Sequence, residues 1–215
     1  MIPTALQDNQ ISNATEPYNL KNYMIPFGIE HYTVLHTRDR HVADEAKFVE
    51  PLRHASAMWI TGGSGAMLAN TYLDTRVQAE LKALLNRGGV IGADSGGSNL
   101  VGSLLLRGAG GIAPVVAPGH DRAFGLLPNT AIDTHVVERH IEDELGPEIA
   151  ARPEVLGIGI DASTAIVVKR GKFSVIGKSV VLITDGKRHG EKPYYTLHPG
   201  DTFDLTSRQA KTLSN

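Results

Sequence analysis

A chain of 215 residues, 41% hydrophobic and 20% charged with a formal net charge of −2, has the make-up of a globular domain and not of a disordered or fibrous one. Its positive and negative residues are interspersed, so the basic stripe that nucleic-acid binding requires is missing. The absence of cysteine excludes disulfides, thiolate metal sites and a cysteine nucleophile.

No apolar run reaches the roughly 18 residues of a membrane span. The opening MIPTALQDNQ has neither a basic stretch nor a long apolar core, so no secretory signal is read there. The expected location is the cytoplasm, with no membrane partner. The length favours one domain over 1–215, enough to bury roughly two-thirds of the unfolded surface.

Taken in chain order, residues 7–18 are polar and read as a loop. Residues 29–36 (IEHYTVLH) are β-rich and read as a strand. Residues 43–53 predict a short helix interrupted near its end by Pro51. Residues 57–61 (AMWIT) read as a buried strand closed by Gly62 and Gly63. The stretch from Asp74 to Leu85 carries a helical apolar pattern, with Asp74 as N-cap and Gly88 as stop. Val90 to Ala93 is the next strand, and Ser98 to Leu106 reads as the helix after it.

Strands alternating with helices predict an α/β fold, a mostly parallel sheet with helices on both faces. The later strands, 156–160, 164–169, 173–176 and 179–184, are short, closely spaced and separated by turn residues. They read as antiparallel hairpins at the sheet edge. The polar tail over 206–215 reads as frayed.

The chemistry centres on GVIGADSGGSNLVG, residues 89–102. A serine hydroxyl attacks only when a base takes its proton and donors stabilise the oxyanion. A sharp strand-to-helix turn supplies the projection and tolerates only small neighbours. Ser95 has Ala93 and Gly97 two residues to either side, which fits that need. A glycine-rich turn with an incidental serine is the plainer alternative. Gly62 and Gly63 also follow a buried strand, where glycine lets backbone N–H groups approach a ligand. The candidate base is His135 in AIDTHVVERH, just past an apolar stretch, whereas His140 sits among charged residues. A lone histidine is more often structural than catalytic.

Five segments, in order, resemble peptidase family S51, the serine peptidases of the cyanophycinase and dipeptidase E type. MIPTA (1–5) is similar to the family's early IPTA strand, and WITGG (59–63) to its strand ending in TGG. GADSGGS (92–98) resembles the nucleophile elbow GTSAGA. FGLLPNTAIDTHVVER (124–139) resembles the LGLLP and DQHFxxR segment that carries the catalytic histidine. LGIGIDASTAIVV (156–168) resembles GIGIDExTALVV. The resemblance as a whole extends over most of residues 1–186.

The resemblance implies a flavodoxin-like α/β fold of the class I glutamine amidotransferase kind. It also implies Ser95 as nucleophile, His135 as base, and the N–H groups of Gly63 and Gly96 as oxyanion donors. It places Asp133, Thr134 and Arg139 at the substrate, Arg139 being suited to hold a carboxylate.

The departures bear on activity. The acid that orients the histidine in cyanophycinases is the glutamate of GIGIDE, and that position is Ala162. Loss of this role costs several orders of magnitude in related chemistry. Asp161 is the adjacent candidate acid, although neighbours on a strand point to opposite faces. Asp94 and Glu138 are further carboxylates offered as compensation. A substrate glutamine of the family is Gly65 here, the glutamine of DQH is Thr134, and a further arginine aligns with Glu144. Relatives carry a strand and helix before IPTA, so an exposed sheet edge is expected, which a homodimer would partly cover.

Three functions follow as expectations. One is a serine peptidase acting on a small acidic or isoaspartyl-like peptide. Another is a catalytically degenerate relative that binds a peptide or small acid. The last is an amidase, esterase or amidotransferase-like enzyme. No metal cluster or phosphate-binding motif stands in the sequence, so neither a metal nor a nucleotide cofactor is expected.

Overall fold

The computed structural model describes residues 1–12, 28–29, 31–110 and 114–213. They form two compact units, Met1–Pro128 and Asn129–Asn215.

The first unit holds strands β1 (Ala57–Ile60) and β2 (Val90–Ala93) with helices α1 (Asp8–Ser12), α2 (Arg40–Ala43), α3 (Glu50–His54), α4 (Gly65–Tyr72), α5 (Arg76–Asn86) and α6 (Ser95–Ser98). β1 and β2 pair in parallel, Ala57 opposite Val90 through Ile60 opposite Ala93. Ile2 bridges Ile60 in parallel on the other side of β1, donating to Trp59 O at 2.8 Å and accepting from Thr61 N at 3.1 Å. The expected strand over 29–36 is instead an extended segment without a regular ladder; residue 30 lies outside the described residues. The Met1 ammonium donates to Thr33 O at 2.6 Å, and Met1 O accepts from Leu35 N at 2.9 Å. Pro3 has no N–H to carry such pairing on. Burial pushes the pKa of the Met1 amino group down to about 6.

Other boundaries differ from the sequence reading for identifiable reasons. Residues 8–12 of the expected loop are helical, and 13–18 lie outside the described residues. Pro51 does not end a helix over 43–53 but sits in the first turn of α3, where its missing N–H has no intrahelical partner to lose. Asp74 is not the N-cap of α5. It holds φ +57° and its carboxylate pairs with Arg122 at 2.7 and 2.8 Å, while its N–H goes to Gln78 Oε1 at 2.7 Å. Thr75 takes the N-cap position. α4 has no counterpart in the sequence reading, although Ser64 caps it by accepting from Met67 N. The helix expected over 98–106 stops at Ser98. Beyond it the backbone bonds across to 121–127, with Phe124 N on Leu100 O and Leu105 N on Asp121 O.

The core of this unit gathers Ile2, Leu52, Ile60, Leu68, Tyr72, Leu81, Leu84 and Phe124, all 0–1% exposed. α5 contributes Val77, Leu81 and Leu84 at helical spacing, so its apolar stripe faces inward. One buried polar chain crosses the core. Tyr72 Oη lies 2.6 Å from Thr4 Oγ1, which lies 2.9 Å from His36 Nδ1.

The second unit holds α7 (Leu145–Ala150) and two four-stranded sheets. One has the order β3 (Thr130–Thr134), β4 (Leu156–Ile160), β7 (Val181–Thr184), β8 (Tyr195–Leu197). The other has the order β10 (Gln209–Lys211), β9 (Thr202–Asp204), β6 (Lys172–Gly177), β5 (Thr164–Lys169). β5 and β6 form the expected hairpin, yet they belong to their own sheet. Phe173 and Phe203 stack at 5.2 Å inside it.

The expectation of a mostly parallel sheet with antiparallel edge hairpins holds in part. Among the described residues two strand pairs are parallel, β1–β2 and β3–β4, and five are antiparallel. The fold is mixed α/β. The tail is not frayed up to Lys211. Asp204 Oδ1 accepts from Thr206 N and Ser207 N and turns the chain back, so β10 pairs with β9. Residues 214–215 lie outside the described residues.

Tyr72→Phe removes the hydroxyl that closes the Tyr72–Thr4 bond. The expected loss is about 1–2 kcal/mol of stability, read by urea denaturation; an unchanged midpoint would show that this bond carries no net weight.

Candidate active site

In the first unit the end of β2 delivers Ser95. Asp94 is still extended at φ −130°, and Ser95 turns to φ +45° to open α6. A non-glycine residue held there is strained, and the surroundings hold it. Upstream, β2 is fixed on β1. Downstream, Gly97 N and Ser98 N both donate to Asp94 O, at 2.9 and 3.3 Å. The Asp94 side chain braces the same turn from the other side, accepting from Trp59 Nε1 and Gly62 N, each at 2.9 Å. It ties the end of β1 to the start of α6.

Close approach explains Gly96. A Cβ there would overlap the carbonyl oxygen of Gly63, so the two proposed oxyanion glycines lie backbone against backbone. Ser95, Gly63 and Gly96 are thus brought together in one unit. Gly65, in place of the family glutamine, opens α4 beside them, near Gly96 O and Leu100.

In the second unit β3 delivers His135. Its N–H continues the ladder to Ile160 O at 2.8 Å, and the residue then turns to φ +61°. The chain folds back at once, with Arg139 N on His135 O at 2.9 Å and Ile141 N on Val136 O at 2.9 Å. Val136 is buried against Gly159 of β4, where a Cβ would sit 3.0 Å from the valine methyl. The glycine in LGIGI therefore lets this turn lie on the sheet.

Asp161, offered above as a candidate acid, anchors this turn. Its Oδ1 accepts from Val137 N and Glu138 N, each at 3.0 Å, and its Oδ2 accepts from Ser179 Oγ at 2.5 Å. Burial pushes its carboxyl upward, but the Ser179 hydroxyl and the N–H groups of Glu138, Ala162 and Val137 outweigh this and hold it below the ordinary carboxylate range. The carboxylate found on the histidine is that of Glu138, with Oε2 2.6 Å from His135 Nδ1. Asp133 and Thr134 are buried in β3, where Asp133 Oδ1 accepts from Thr134 N at 3.0 Å. Arg139 stands exposed on the turn, as does His140.

An open cavity of about 520 Å³ in the second unit is lined by Asp143, Pro147, Lys187, Arg188 and Glu191 among others. It contains none of the residues singled out from the sequence. Among the described residues no three His, Asp or Glu side chains gather as metal ligands, and no helix is long and apolar enough to cross a membrane.

The model of peptidase family S51 matches residues 1–176, and the chain belongs to that family. A cyanophycinase of Geminocystis herdmanii is 30% identical over 190 residues, 86% of this chain and 66% of that protein. A cyanophycinase of a Nostoc species is 31% identical over 202 residues, 84% of this chain and 67% of the relative. The chain thus spans about two-thirds of the length of these relatives. Among solved structures, a peptidase from an acI-B1 actinobacterium superposes with a TM-score of 0.72 at 23% identity, covering 94% of this chain and 81% of the other. A putative peptidase E protein from Listeria monocytogenes gives 0.58 at 15% identity, covering 83% and 84%. Both share the fold.

Because the Asp161 carboxyl titrates below its ordinary range when folded, it contributes stability above the unfolded value, about 3.9, and this is lost as pH falls through the folded value. Asp161→Asn is expected to destabilise the protein by about 1–3 kcal/mol at pH 7, with the gap to wild type narrowing below pH ~4. Denaturant titrations at both pH values check this; a pH-independent gap would contradict it.

Proposed function

We propose that this protein is a serine-type peptidase that hydrolyses a small peptide with an acidic or isoaspartyl-like residue at the scissile bond. Membership of a peptidase family supports a hydrolase, and the strand-to-helix turn that sets Ser95 beside Gly62, with Gly96 packed on Gly63, supports the choice of nucleophile. Ser95 Oγ attacks the carbonyl carbon while His135 Nε2 takes the hydroxyl proton. The N–H groups of Gly63 and Gly96 stabilise the oxyanion. The C–N bond then breaks, His135 returns the proton to the leaving amine, and water releases the acyl group by the reverse sequence of proton transfers.

Arg139 is the residue proposed to hold a substrate carboxylate; Asp133 and Thr134 are buried in β3 and are assigned no substrate contact in this reading. The flavodoxin-like sheet is part of this reading and is supported by the parallel pairs β1–β2 and β3–β4. The chemistry runs on protein groups alone, and chelation by EDTA is expected to leave it unaffected. The substrate class rests on the named activity of the relatives and on Arg139, and a cytoplasmic homodimer is proposed with it.

A panel of α-Asp-X and β-Asp-X dipeptides, including β-Asp-Arg, tests the reading. Hydrolysis of at least one member is expected, falling by about 10³-fold or more in Ser95→Ala while the variant stays folded. Turnover retained in Ser95→Ala would overturn the assignment. Calorimetric binding of a panel member without turnover would replace the peptidase by the degenerate binder.

A further inference from the structure

We infer that Glu138 is the positioning residue of His135, supplying from the histidine's own turn the carboxylate that orients the base. This rests on the peptidase reading above and names a residue it does not require. The observation is the 2.6 Å separation of His135 Nδ1 and Glu138 Oε2, a short charge-assisted hydrogen bond. An ionised carboxylate only accepts, so Nδ1 is the protonated ring nitrogen. In the neutral imidazole Nε2 then keeps its lone pair, which is the nitrogen a general base needs for a serine proton.

The pair does not depend on two long side chains meeting by chance. The Glu138 N–H is held by Asp161 Oδ1 at 3.0 Å, and so is that of Val137. Asp161 is itself fixed by Ser179. Val136, between His135 and this clasp, is buried on Gly159. The backbone on both sides of the pair is therefore set before the carboxylate reaches the ring. Glu138 is 58% and His135 29% exposed in their side chains, so the contact, like other exposed polar pairs, adds little to stability. Its effect on the ring tautomer does not need burial. The other two carboxylates considered for this role bond elsewhere: Asp94 meets Trp59 and Gly62, and Asp161 meets the turn and Ser179.

The test compares wild type, Ser95→Ala, Glu138→Ala and Glu138→Gln. ¹⁵N-histidine NMR reads the tautomer of His135, assigned by its loss in His135→Asn. Steady-state kinetics are taken on whichever panel dipeptide the wild type cleaves. His135 is expected to carry its proton on Nδ1 in wild type and to move toward the Nε2–H form in Glu138→Ala. The same variant is expected to lose kcat by about 10–100-fold with KM changed less than about threefold, less than loss of a buried acid causes. Glu138→Gln keeps an acceptor oxygen, so it should retain the Nδ1–H form and an intermediate kcat. Turnover abolished in Ser95→Ala but unchanged in Glu138→Ala overturns the Glu138 assignment alone, and so does an unchanged tautomer in Glu138→Ala. No turnover by folded wild type overturns the peptidase reading, and the catalytic use of Glu138 with it.

Discussion

The left-handed backbone at Ser95 is the constraint around which the first unit is arranged. Holding a non-glycine residue at φ +45° costs on the order of 1–3 kcal/mol, so it persists only where the neighbours leave no relaxed alternative. Here β2 fixes the residue before it through parallel pairing with β1, and the first turn of α6 fixes the residues after it. Asp94 joins the two by bonding Trp59 and Gly62 on the facing strand end. A tight approach of Gly96 to Gly63 is the geometric result. Each of these needs the others: without Asp94 the loop after β1 loses its tie, and a side chain at position 96 would push that loop away.

The second unit solves a similar problem with the same device. His135 also follows a strand of a parallel pair, also turns into the left-handed region, and is also followed by a turn whose N–H groups bond an aspartate, here through the Asp161 carboxylate where the first unit uses the main-chain carbonyl of Asp94. The positive φ alone distinguishes neither residue, since Asn129 and Arg170 share it in ordinary turns. Beside each stands an aspartate, Asp94 or Asp161, whose carboxylate accepts a backbone N–H and so stiffens a strand end; Asp204 does the same in the turn before Arg208. Rigid strand ends are where functional side chains gain precision.

The sequence exposes such features unevenly. Strands β2, β4 and β5 were legible to the residue because apolar and β-branched runs stop at turn residues. The elbow was legible because only small residues fit around it. Asp74 misled because its type suits an N-cap, while its actual role depends on Arg122, 48 residues away. The 98–106 helix misled because the backbone partners of that stretch lie at 121–127. The 206–211 tail looked frayed because polarity says nothing of the Asp204 turn that folds it back onto β9. Ser95 and His135 were legible as candidates, each at the end of a strand. The clasp formed by Asp161 was not, since it depends on a turn between strands that sequence spacing does not define.

The carboxylate on His135 illustrates why position and role separate. A histidine-orienting acid does two things. It selects a tautomer, which is a matter of where an acceptor oxygen stands, and it stabilises the imidazolium, which is a matter of charge in a low-dielectric setting. Glu138, three residues on and largely exposed, satisfies the first through a 2.6 Å contact. Water at its carboxylate screens the second. If His135 is the base, as proposed, then with alanine at position 162 its own turn supplies orientation and forgoes part of the electrostatic gain. On the proposed reading, the reaction then leans more heavily on the oxyanion donors at Gly63 and Gly96, whose placement the strain at Ser95 enforces.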